Sequence, residues 1–334
     1  AVTTRPDRQE IRMNSPLSFF CCLFSGLIGR SWAMLFASKG YSVSIYDVDP
    51  AQVSAALENI QVLLEKMEKE GLLKGTLSSQ EQFKLISGSG SFEECVEGAV
   101  YVQEAVPENL SLKQEIFRKL DATVKDDDVI LASSTSFIPA SKFSEDLKHR
   151  GQVIVAHPTN PPYFVPLVEL VPAPWTFPSI TQRCKAIMEE IGQVPCLLNR
   201  EIEGFILNRM QFALMTECWR VVADGVVSVE DLDKVMSYGL GHRYAFLGPL
   251  EVAHLNAEGM ASYSDRYGPS IFETVEGFGP TPIMNGETVE KTGILKQLCD
   301  MVPLDQLKER RIWRDGRLAA FAKWKKELDD ADQK

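Results

Sequence analysis

The run Ser25-Gly26-Leu27-Ile28-Gly29 leads straight into an apolar stretch, Leu27 to Lys39, and then an alternating one, Tyr41 to Tyr46, which ends at Asp47. Few folds use these pieces in this order. Glycines between a strand and a helix let a pyrophosphate approach the backbone and the helix N-terminus, and an acid about 20 residues on meets the ribose hydroxyls. Gly26 and Gly29 fill the second and third glycine places of G-x-G-x-x-G, and Asp47 follows Gly26 by 21 residues. The turn Gly26, Leu27, Ile28, Gly29 is therefore expected to hold a dinucleotide. A carboxylate at Asp47 accepts from both ribose hydroxyls and repels a 2′-phosphate, which favours NAD over NADP. The plainer alternative makes Asp47 the start of the loop Asp47-Val48-Asp49-Pro50.

Phe24 stands in the first glycine place, where a side chain is expected to crowd the turn and weaken nucleotide binding. Residues 17–24, LSFFCCLF, are all types that pyrimidine-rich codons can write, as at the end of an intron. Residues 1 to about 25 are accordingly expected to be translated intron or an alternative first exon, without a proper first strand. Pro16 to Ile28, preceded by Arg5, Arg8 and Arg12, looks like a signal-peptide core. It is too short to span a bilayer, and no small-residue cleavage site follows promptly at Gly29-Arg30-Ser31-Trp32, so no secretory or membrane role is expected. Seven scattered Cys without a CxxC pair argue against a metal cluster or a disulfide framework, and point to the reducing cytoplasm.

Beyond the turn, periodicities keep alternating. Pro50 suits the first turn of a helix over Ala51 to Glu70. Strands are expected at Ala99–Gln103, Val129–Ala132, Val153–Ala156, Leu167–Val171 and Val194–Leu198, and helices over Leu112–Leu120 and Ile180–Ile191. Such alternation implies an α/β fold, a Rossmann-like doubly wound and mostly parallel sheet. After Asn199 the strand signal stops. Helical patterns follow at Gly204–Val222, Ser228–Met236, Pro249–Tyr267 and Leu304–Leu328, so a second, all-helical domain is expected. The expected domains are 1–198 for NAD and 199–334 for substrate and dimerisation. The run Phe205–Val222 carries more apolar positions than one face of a monomer helix needs, which predicts a homodimer. With 35 Lys and Arg against 46 Asp and Glu, the net charge of −11 disfavours a nucleic-acid partner.

The densest chemistry is His157-Pro158-Thr159-Asn160-Pro161-Pro162, followed by Leu167-Val168-Glu169. A His just after a strand sits at the carboxyl edge of the sheet, where open α/β folds bind ligands. Glu169, returning on the next strand, would fix the imidazole tautomer and offset the charge that forms when His157 takes a proton from a hydroxyl. A structural His in a Pro-rich turn is the alternative. Ser136, on the turn after a strand, can donate to a substrate oxygen or be an ordinary turn serine. Asn208, among Phe205, Ile206 and Leu207, is either a capping residue or an amide aimed at a ligand. Arg243 suits a carboxylate anchor or a helix-end ion pair, and Asn160 lies beside the His.

Seven blocks in order carry a resemblance: SGLIGRSWAMLFAS (25–38), QEAVPENLSLKQEIF (103–117), ASSTS (132–136), VAHPTNPPYFVPLVELVP (155–172), GFILNRMQFAL (204–214), DLDKVMSYGLGHRYAFLGPLE (231–251) and HLNAEGM (254–260). Through them the chain resembles the 3-hydroxyacyl-CoA dehydrogenase family. The resemblance implies that Gly26, Leu27, Ile28, Asp47, Glu108 and Lys113 fall on cofactor positions. It places Ser136, His157, Glu169 and Asn208 on catalytic ones. It implies an NAD-dependent oxidation of the 3-hydroxyl of a hydroxy acid, with L-gulonate the implied substrate. A 3-hydroxyacyl-CoA is the alternative, and a non-enzymatic structural role or an inactive variant is the reading of another class. The segment before Ser25 departs from the family pattern.

Overall fold

The protein is described here by a computed structural model covering residues 19–332. Its strands are β1 (Phe19–Leu23), β2 (Ser42–Tyr46), β3 (Ile86–Gly88), β4 (Ala99–Glu104), β5 (Ile130–Ser133), β6 (Val153–Pro158), β7 (Leu167–Pro172) and β8 (Val194–Leu197). They form one sheet in the order β3-β2-β1-β4-β5-β6-β7-β8. The direction of winding reverses between β1 and β4, which opens the ligand crevice at their carboxyl ends. All neighbours are parallel except β6 and β7. Residues 159–166 join those two, too short for a crossover, so β7 turns back antiparallel.

Helices α1 (Leu27–Ala37), α2 (Pro50–Lys69), α3 (Ser79–Lys84), α4 (Phe92–Val96), α5 (Leu110–Thr123), α6 (Ser141–Ser144) and α7 (Pro178–Glu190) accompany the sheet. Pro50 opens α2 as expected, and the Asp49 carboxylate caps it by accepting from Ala51 N–H at 3.0 Å. Two cores result, one on each face. Along β1, Phe20 and Cys22 join the core that includes Trp32, Phe36 and Tyr101, whereas Cys21 and Leu23 join that of Phe92, Phe117 and Phe143. A strand buried on both faces is apolar throughout and shows no alternation.

This corrects the expectation that the chain lacks a first strand. Phe19 and Phe20 suit a strand, and β1 pairs with both β2 and β4 inside the sheet, its register against β4 shifting between Phe19 and Phe20. Residues 1–18 of the segment treated as intron-derived lie outside the described residues. The edge strand β3 was not expected.

By contacts, the described residues up to Asn208 together with those from Asp315 form one unit, and Arg209–Arg314 form a second. Helix α8 (Leu207–Ala223) starts at the end of the first unit. The expected start at Gly204 is too early, because Gly204 and Phe205 take positive φ (75° and 47°) and form a turn instead. Next come α9 (Val229–Val235), α10 (Gly241–Tyr244), α11 (Pro249–Leu255), α12 (Met260–Glu276), α13 (Gly286–Lys291), α14 (Ile294–Met301) and α15 (Leu307–Asp332). Ser228 caps α9 through Asp231 N–H, as its sequence suggests. The helical pattern expected around Pro249–Tyr267 resolves into two helices, divided at Gly259 with φ 94°. The second unit has a small core around Val222, Val229 and Ile294.

Candidate active site

The glycine turn sits at the carboxyl end of β1 and fits a dinucleotide. A Cβ at Gly26 would meet nothing within 4 Å, so that face is open to a ligand. Gly26 is the N-cap of α1 and no side chain caps the helix, which leaves its first N–H groups free for an anion. A Cβ at Gly29 would fall 1.9 Å from the Phe24 carbonyl oxygen, so only glycine permits this helix to pack on this turn. Asp47, following β2, accepts from Ser25 N–H (2.9 Å) and Ser25 Oγ (2.7 Å) through Oδ2. Its other oxygen takes Asp49 N–H at 3.2 Å. Ser25, unmarked by the sequence reading, thus locks the acid to the turn.

Phe24 has φ 77°, the left-handed angle that a glycine would take freely. Its ring packs against the core of Phe92 and Phe117. The expected crowding of the turn by this side chain is therefore not what the structure shows, since the space in front of Gly26 stays clear. The burden of Phe24 is backbone strain.

Three strands from β1, at the same carboxyl edge, His157 of β6 faces Glu169 of β7 as register partners. His157 Nδ1 and Glu169 Oε2 are 2.9 Å apart and both side chains are buried. The other carboxylate oxygen accepts from Ile206 N–H (2.8 Å) and Leu207 N–H (2.9 Å), the start of α8. Burial pushes the Glu169 carboxyl up, but the bonds from His157 and from those two N–H groups outweigh it and leave the group below the usual carboxylate range. Phe205 packs beside the imidazole, fully buried with its ring centroid 5.7 Å from that of His157. Sequence reasoning missed Phe205. Only its neighbour Gly204 hints at a turn.

Ser136 lies on the turn after β5, and Asn208 Nδ2 donates to its carbonyl at 2.7 Å. Glu108 Oε1 accepts from Ser136 N–H at 3.1 Å and from the Thr135 hydroxyl. Lys113 is fully buried and pairs with Glu104 at 3.1 Å and Glu108 at 3.6 Å. Glu104 was not singled out in the sequence, although an acid closing a strand at this edge is a legible signal. Leu27 and Ile28 form the first turn of α1. Asn160 is exposed on the loop after β6. Arg243 is exposed on α10, in the second unit.

Residues 21–202 match the family model described as 3-hydroxyacyl-CoA dehydrogenase, NAD binding domain, and residues 204–290 match that of the C-terminal domain. Lambda-crystallin of Oryctolagus cuniculus is 52% identical over 306 residues, covering 91% of this chain and 95% of that protein. An L-carnitine dehydrogenase of Pseudomonas sp is 34% identical over 75% of this chain and 77% of its own length. Among solved structures, 5-formyl-3-hydroxy-2-methylpyridine 4-carboxylic acid 5-dehydrogenase, an NAD+ dependent dismutase, matches with TM-score 0.72 and 26% identity, covering 91% and 97% of the two chains.

Proposed function

Because this chain belongs to the 3-hydroxyacyl-CoA dehydrogenase family and carries its NAD-binding domain, we propose that it oxidises the 3-hydroxyl of a small hydroxy acid, L-gulonate to 3-dehydro-L-gulonate. The observation that carries this reading is the buried His157–Glu169 pair at the carboxyl edge of the sheet.

NAD, when bound at the Gly26 turn, supplies the acceptor for the hydride. Gly26, Leu27, Ile28 and Gly29 present the turn, and Asp47 meets the ribose hydroxyls, which makes NAD the preferred form. His157 takes the proton of the 3-hydroxyl with Nε2, the ring nitrogen that Glu169 leaves free. Glu169 holds the ring in that tautomer and offsets the charge that arises on it. With its second oxygen tied to Ile206 and Leu207, Glu169 has no freedom to swing away. Ser136 and Asn208 orient the substrate oxygen as it changes from hydroxyl to carbonyl, which is catalysis by positioning. Asn160, on the loop after β6, offers an amide to the substrate.

A 3-hydroxyacyl-CoA is the second reading, favoured by the family's name. A sugar acid is preferred because an acyl-CoA must lay an anionic nucleotide tail on a basic surface, and the chain carries a net charge of −11. Residues 1–198 are assigned to NAD and 199–334 to substrate and to pairing of two copies in the cytoplasm. The test is NADH formation with L-gulonate and L-carnitine, beside NADH consumption with acetoacetyl-CoA. The reading expects L-gulonate to give the highest kcat/KM; a hundredfold preference for acetoacetyl-CoA would reverse it.

A further inference from the structure

Two thiols meet in the interior of the first unit. Cys21 on β1 and Cys95 on α4 are both fully buried, and their sulfurs lie 2.7 Å apart. That is shorter than the about 3.5–4.0 Å at which non-bonded carbons rest, although sulfur is the larger atom. A covalent S–S bond spans about 2.05 Å, so closure needs a shift of less than an ångström. No other cysteine competes for either sulfur. Cys22 and Cys184 face the opposite core, with Trp32 and Tyr101. Cys196 is exposed on β8, and Cys218 and Cys299 are half-buried on α8 and α14.

We propose that Cys21 and Cys95 are a peroxide-modified pair, which closes to a disulfide and staples α4 to the strand that feeds the glycine turn. Burial pushes the Cys21 thiol up, and Cys95 beside it adds to this, so the closed pair is a poor nucleophile. Reaction therefore passes through local opening. The element that opens is α4, five residues long, whereas β1 is bonded to a strand on either side. With α4 open, the Cys95 thiolate attacks hydrogen peroxide; the O–O bond breaks, hydroxide leaves and a sulfenic acid remains. On reclosing, the Cys21 thiolate attacks that sulfur, the S–S bond forms and the S–O bond breaks, releasing a second hydroxide. The balance is two thiols and one peroxide to one disulfide and two waters. The new bond closes residues 21 to 95 into a loop that contains the glycine turn and Asp47. Such a link removes open conformations from the unfolded chain and holds α4 shut, and the small shift leaves the turn where it is. None of this depends on which hydroxy acid the protein oxidises.

The experiment uses the full-length protein. Accessible thiols are first blocked with iodoacetamide under native conditions, hydrogen peroxide is then added, and peptides are mapped without reduction. The expected product is a peptide pair linked through Cys21 and Cys95, two hydrogens lighter than its parts and separated by dithiothreitol, with Cys196 alkylated in the first step. Amide exchange across α4 should slow at least tenfold, and the NADH Kd should stay within threefold of the reduced protein. Cys95→Ser, treated alike, should give neither the link nor the added protection. Recovery of Cys21 and Cys95 as free thiols, a link through Cys22 instead, or alkylation of Cys95 as fast as Cys196 would each overturn the proposal. So would a tenfold weaker NADH Kd on oxidation, or slowed exchange across α4 in peroxide-treated Cys95→Ser.

Discussion

Two phenylalanines adopt backbone angles that favour glycine, Phe24 at φ 77° and Phe205 at φ 47°, and each stands at a turn the chemistry needs. A side chain in the left-handed region costs about 1–2 kcal/mol, tolerated only where the surroundings compensate. For Phe205 the compensation is full burial against His157, and the turn it forms delivers Ile206 N–H and Leu207 N–H to Glu169. For Phe24 it is the ring's contact with the core beneath the turn. Phe24→Gly therefore trades strain for lost packing and leaves the nucleotide surface as it was. A fluorescence titration should find the NADH Kd within about threefold of the parent; crowding of the pyrophosphate by the ring would instead give tightening of tenfold or more. At this scale the sequence spoke through chemistry alone. His157, Glu169, Ser136 and Asp47 were legible as polar groups at or near strand ends and Asn208 as an amide at the start of an apolar helix, and the structure brings His157 to Glu169 and Asn208 to Ser136. Phe205 was not, because it acts through a backbone angle, and Glu104, an acid at a strand end, was a signal left unread.

Elements were legible where polar and apolar residues alternate or where a cap marks the start. β2 and α2 fall within a residue or two of their expected limits, the latter because Asp49 and Pro50 mark its start. β1 was misread for the opposite reason: buried on both faces, it has no period, and an apolar run of that kind is ambiguous. The split of α11 from α12 hangs on Gly259, which takes φ 94°, an angle no periodicity reveals. Helix α8 poses a different problem. Met210, Phe212, Leu214 and Met215 are exposed by 40–55%, and of its residues only Val222 is buried. Large apolar side chains left in water on one helix mark a surface that meets another, and a second copy of the chain is the proposed occupant. Sedimentation at micromolar concentration should give a dimer, and substituting Met210 and Phe212 with Ser should shift it toward monomer. A monomeric parent protein would contradict the proposal.

On the scale of the molecule, the sheet order decides what meets what. Winding outward from β1 in both directions puts the glycine turn, Asp47, the Ser136 turn and His157 on one edge, and the antiparallel return of β7 adds Glu169 to it. The alternation of strands and helices sufficed to expect that edge; it could not supply the cross-chain bonds that hold Ser136 and Glu169 in place. In the proposed reaction His157 takes the hydroxyl proton while the nucleotide lies at the Gly26 turn, so the most direct measurement is His157→Gln, assayed for turnover and for NADH binding together. Loss of a general base costs about 10²–10⁴-fold in rate, and kcat with L-gulonate should fall by that much with NADH affinity unchanged. Near-full activity of His157→Gln on every hydroxy acid that the parent protein oxidises would contradict it.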